Sequence, residues 1–145
     1  MVLKLDDLVV YQVAMEIGND IYDIVYKWSY FDKDTLGKQI VKSADSIALN
    51  IAEGFGRYHY KENKNFCFYS RGSLFETQSA LMKAKTRNLL DEQSYNIVNQ
   101  KLERFHKLIN GYIKSIGPTE GSQWLNDPMT GWLNDHDPND YHQWN

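Results

Sequence analysis

With 145 residues, 42% of them hydrophobic, the chain is long enough for one domain with a real core. Its one cysteine excludes an internal disulfide, and no apolar run approaches the ~20 residues that a membrane-spanning helix needs. The net charge of −3 is uneven: all 16 Lys and Arg precede Gly117, where the balance is +2, and the remainder holds five acids and no base, a net −5. The opening residues lack the basic-then-apolar layout of a secretory signal, so a cytoplasmic protein is expected.

Four stretches carry helical periodicity. The first spans about residues 7–28, with Leu8, Val9, Val13, Ile17, Ile21, Ile24, Val25 and Trp28 at three- and four-residue steps. Asp6 and Asp7 suit its start as cap and as negative charge. Phe31-Asp-Lys-Asp34 reads as a turn. The second helix spans about residues 35–52, with Leu36, Ile40, Ala44, Ile47 and Ile51 inward and Gly54 and Gly56 as stop signals. In the third, about residues 61–89, Phe66, Ser70, Ser73, Thr77, Ala80 and Ala84 share a face beside Leu74 and Leu81. Cys67, between Phe66 and Phe68, is expected to act as a small apolar residue. Asp91 caps the fourth, which carries Tyr95, Val98, Leu102, Phe105, Ile109, Tyr112 and Ile113 inward until Gly117-Pro118 ends it. No segment alternates with period two. Short connections between long helices imply an all-α fold: an antiparallel up-down-up-down four-helix bundle over residues 1–117, followed by an irregular acidic tail over residues 118–145.

The tail holds an imperfect repeat. Trp-Leu-Asn-Asp occurs at residues 124–127 and 132–135, and Gln-Trp at 123–124 and 143–144. It either lies on the bundle or serves a partner through Trp124, Trp132 and Trp144, since tryptophans mark binding anchors.

Two strings place small and polar residues on otherwise buried helix faces: Ser46-Ile-Ala-Leu-Asn-Ile-Ala-Glu-Gly-Phe-Gly-Arg57 and Arg71-Gly-Ser-Leu-Phe-Glu-Thr-Gln78. Small residues let helices approach, and buried polar groups need partners. The two helices are therefore expected to meet along a close seam containing Ser43, Asn50, Gly54, Ser70, Ser73 and Thr77. Glu53, Arg71 and Glu76 are expected at its edge or at a subunit contact, and Gly72 at a close helix crossing. No nucleophile sits at a turn and no histidines converge, so a structural network rather than a catalytic site is expected.

In this order and spacing the two strings resemble the bacterial four-helix-bundle family of 23S rRNA intervening sequences, whose relatives include the accessory variability determinant of diversity-generating retroelements. Leu5-Asp-Asp-Leu-Val-Val-Tyr-Gln-Val-Ala14 and Ile21-Tyr22 share the likeness, which covers about residues 3–116. Many members carry Pro where this chain has Ala48, and paired arginines where it has Val41-Lys42. The resemblance implies a homo-oligomer forming a five-membered ring and an RNA-linked role, with no catalytic activity known for most members.

Candidate phosphate-binding bases are Lys38 and Lys42, one turn apart; Arg57, Lys61 and Lys64, beside Tyr58, His59 and Tyr60; and Lys83, Lys85 and Arg87. Glu103-Arg-Phe-His106 has the spacing of a di-iron bundle ligand pair but has no second copy, and His136 and His142 lie in the tail, so neither metal nor cofactor is expected. The expected function is a non-catalytic homo-oligomeric adaptor that binds RNA or a nucleoprotein. The alternative is a protein-interaction module acting through the tryptophan tail, without nucleic acid.

Overall fold

The computed structural model describes residues 2–117, all of whose regular structure is helical. Four long helices are α1 (Val9–Tyr26), α2 (Lys38–Phe55), α3 (Tyr60–Thr86) and α4 (Glu92–Ser115). Each packs on its chain neighbours and α4 closes back on α1, the arrangement of an up-down-up-down bundle. The inward residues expected for α2 and α4 are buried, apart from half-buried Tyr112, and Phe105 is the largest wholly enclosed side chain.

Several helix ends differ from expectation. Asp6 and Asp7 belong to a short 3-10 turn, Leu5–Asp7, and Leu8 occupies the N-cap of α1 without a side-chain bond. Val10 rather than Val9 joins the core: Val10, Val13, Ala14, Ile17, Ile21 and Val25 share one helix face, and Val9 falls to its side, 48% exposed. Residues 31–34 are helical rather than a turn. Ser29 caps a short helix (Tyr30–Asp32), its Oγ accepting from the Asp32 N–H at 3.3 Å, and a π turn (Lys33–Gly37) leads into α2. The π turn fits the site: a Cβ on Gly37 would lie 2.9 Å from Val25 Cγ1 and 3.0 Å from the Asp32 carbonyl oxygen, so α1 and the start of α2 meet closely there. Helix α3 ends at Thr86, where Asn88 takes φ 57° and the Leu89 N–H reaches the Ala84 carbonyl at 2.9 Å. Asp91 caps α4 as expected, accepting from the Ser94 N–H at 2.7 Å, and that bond holds its carboxyl below the usual range.

Candidate functional site

The seam between α2 and α3 forms where the small and polar residues predicted it. Ser70 Oγ donates to the Ile47 carbonyl at 2.6 Å. Thr77 Oγ1 lies 2.9 Å from Ser43 Oγ, and Ser43 in turn donates to the Ile40 carbonyl at 3.1 Å. These three side chains are buried, so the hydroxyls satisfy one another and spare backbone lone pairs while adding little bulk.

Gly54 has the tightest surroundings of the described glycines, and it is a contact point and not a stop signal. A Cβ there would meet Asn63 Oδ1 at 2.7 Å, the Asn63 carbonyl oxygen at 2.9 Å and Phe66 Cβ at 2.9 Å. Gly72 is the opposite case and corrects the expectation: it is exposed, and a Cβ would meet nothing within 4 Å. The helix phase of α3 turns it outward. Ser73 is half-buried and Glu76 is exposed.

The other expected seam residues serve local roles. Asn50 Nδ2 donates to the Ser46 carbonyl at 2.9 Å, within its own helix. Exposed Glu53 pairs with Arg57 at 2.6 Å, one turn on. Arg71 is 6% exposed and turns away from the seam toward α4, donating to Asn110 Oδ1 at 3.3 Å and lying 4.9 Å over the Phe68 ring. Its charge and, more strongly, burial hold nearby His106 below the ordinary imidazole value; His106 also meets Phe75 edge-on.

Lys38 and Lys42 lead to a different feature. Where α1 ends and α2 begins, a groove of about 400 Å³ opens between the helices. Val25, Gly37, Val41 and the faces of Tyr22 and Tyr26 line it, with Lys33, Lys38 and Lys42 around them; no acidic side chain lines it. The two tyrosines stack with centroids 6.1 Å apart and stay 54% and 67% exposed. Lys33 Nζ lies 4.9 Å over the Tyr26 ring, and Lys38 pairs with Asp34 at 2.5 Å. Such a surface offers flat aromatic faces within reach of cationic head groups. The residues that complete it, Tyr22, Tyr26 and Lys33, are not among the candidate RNA contacts read from sequence; the signal was an aromatic pair four residues apart, off the apolar stripe of α1.

A family model described as 23S rRNA-intervening sequence protein matches residues 6–111. The chain belongs to that family. Its fold is similar to that of a crystal structure from Bacteroides thetaiotaomicron, a protein of unknown function from the S23 ribosomal protein family, with 21% sequence identity and a TM-score of 0.66 over 74% of this chain and 100% of that one. No curated protein matches it.

The remaining bases of this intervening-sequence family member do not converge on one patch. Arg57 is held by Glu53 and, at 3.8 Å, by Glu62, and packs over the Phe66 ring. Lys64 is 9% exposed rather than solvated, and burial lowers its pKa. Buried beside it, Cys67 has its thiol pushed up to about 12 by desolvation. Lys61 and Tyr58 are exposed at the start of α3. Near its end, Lys83 and Arg87 are exposed, while Lys85 is half-buried with Nζ 4.3 Å over the Tyr95 ring. Trp124, Trp132 and Trp144 lie outside the described residues. Among the described residues no His, Cys, Asp and Glu group of three or more gathers as a metal site, and no helix is long and apolar enough to cross a membrane.

Proposed function

We propose that this protein is a non-catalytic, self-assembling bundle that holds single-stranded RNA, alone or within a nucleoprotein, on the groove between α1 and α2. The observation that carries this reading is the exposed, stacked Tyr22–Tyr26 pair bordered by Lys33, Lys38 and Lys42, with no carboxylate in the lining. Unpaired bases stack on aromatic faces, and lysines neutralise the phosphates between them. A ring of five copies, the assembly that the resemblance implies, would repeat this groove around an axis and convert weak single contacts into avidity. A stripe on α3 supports self-association: Tyr69, Phe75 and Met82 are exposed beside Gly72, whose missing side chain relieves no crowding within the bundle. A second helix can approach closely at such a glycine.

The test is fluorescence anisotropy with a labelled single-stranded uridine oligomer across a salt series, beside light scattering for subunit number. Binding should weaken steeply with salt, and a Lys→Ala change at 33 or 42 should lower the logarithmic salt slope by about 0.7, with a smaller change for Lys38→Ala because Asp34 already pairs with Lys38. Absence of binding at low salt removes the RNA reading.

A further inference from the structure

We propose that residues 132–135, the second Trp-Leu-Asn-Asp segment, dock within the same chain into the groove between α1 and α2. The Trp132 indole would lie against Tyr22, Val25 and Val41, and Asp135 would reach the lysine rim.

The chemistry of the groove defines its occupant. Its floor is apolar and aromatic, its rim is cationic, and no acid lines it. The fitting segment carries a large apolar ring with a carboxylate a few residues away. Residues 118–145 supply that combination as a Trp-Leu-Asn-Asp string twice, at 124–127 and 132–135, and carry a net −5 against +2 for the residues up to Gly117. Opposite charge draws them together, and indole burial on an apolar floor fixes the register.

Reach chooses between the two copies. Lys101 of α4 meets Asp20 of α1 at 2.6 Å, which sets the level of the two antiparallel helices. From that level α4 climbs about 21 Å to its last residue in one direction, and Tyr22 and Tyr26 lie about 3–9 Å away in the other. The groove is therefore on the order of 25–30 Å along the bundle from Gly117. Trp124 is seven residues beyond Gly117, about 25 Å at full stretch, which leaves nothing for curving across the surface. Trp132 is fifteen residues beyond, about 50 Å at full stretch, and reaches with slack. The docking stands independently of RNA.

Disulfide trapping in the full chain tests the docking. Lys42→Cys, at an exposed position, is combined with Asn134→Cys and oxidised with diamide; non-reducing electrophoresis and peptide mapping read the product. Buried Cys67, its thiol pushed up to about 12, stays out of the reaction. The control pairs Asn134→Cys with Glu103→Cys, on the exposed face of α4 and nearer the start of the tail, where an undirected segment arrives at least as often. We expect an intrachain bridge between positions 42 and 134 forming at least about tenfold faster than the control, because docking raises the local concentration of one thiol at the other. Adding Trp132→Ala should return the rate to that of the control. Equal rates, a bridge only between chains, or insensitivity to Trp132→Ala would overturn the proposal. Amide exchange gives a second readout in the natural sequence: residues 33–42 should exchange more slowly in the parent than in Trp132→Ala, and identical exchange argues against docking. Trapping without any RNA affinity, even after Trp132→Ala, would refute the RNA reading alone.

Discussion

Replacing Gly54 with alanine should destabilise the bundle although alanine is the better helix former. In a helix interior, Gly→Ala favours folding by about 1 kcal/mol. At Gly54 the new methyl group would arrive 2.9 Å from both the Asn63 carbonyl oxygen and Phe66 Cβ. The third neighbour, Asn63 Oδ1 at 2.7 Å, can swing away, but a main-chain oxygen and a Cβ move only with α3 itself. Backing α3 off would loosen the Ser70–Ile47 and Thr77–Ser43 bonds and open gaps along the packed seam. Overpacking of this kind costs about 1–3 kcal/mol; with rigid neighbours on two sides the upper part of that range applies, leaving a net loss of about 2 kcal/mol. For a bundle of this size that corresponds to a fall in Tm of about 6–10 °C. The assay is thermal unfolding by circular dichroism at matched concentration, with Gly111→Ala as control. Gly111 is an exposed glycine of α4 whose added Cβ meets nothing within 4 Å, so its Tm should rise by a few degrees. A Gly54→Ala variant melting at or above the parent would refute the close crossing.

Gly72→Leu should raise the melting of dilute protein by a few degrees, as for Gly111→Ala, and reduce subunit number in light scattering; intact assembly would remove Gly72 from the subunit contact. Tyr22→Ala should weaken single-stranded RNA binding by about 5–150-fold, the equivalent of one lost stacking contact of about 1–3 kcal/mol, with no loss of helix content. Cys67 should resist a thiol reagent at neutral pH and react on unfolding, since burial holds it as the thiol; rapid labelling of folded protein would contradict that environment. His106 is held below its ordinary value, so as pH falls below ~6.5 the unfolded chain gains a proton that the folded chain does not, and stability declines; His106→Gln should flatten that part of a stability–pH profile.

The helical stripes were legible because α1, α2 and α4 each bury one continuous apolar face. Leu36, Ile40, Ala44, Ile47 and Ile51 are all buried as their spacing requires, and the seam hydroxyls of Ser43, Ser70 and Thr77 stood out as polar atoms on buried faces. Helix α3 misled because apolar and small residues are spread around it: Tyr69, Phe75 and Met82 are exposed while Lys64 and Arg71 are buried, so composition alone did not give the phase that separates Gly54's crowded environment from Gly72's open one. The groove was invisible for another reason. It depends on the π turn and the Ser29 cap that bring Gly37 against Val25, a tertiary fit that no periodicity records. Clusters of bases in sequence also overstated the available charge, since carboxylates hold Arg57 and Lys38.

Chemical-shift mapping with isotopically labelled protein and a short single-stranded RNA tests the groove most directly. Perturbations should gather on Tyr22, Tyr26, Lys33, Lys38, Val41 and Lys42 and vanish with added salt. Shifts confined to residues 57–64, or none at all, would contradict its assignment as the RNA-binding face.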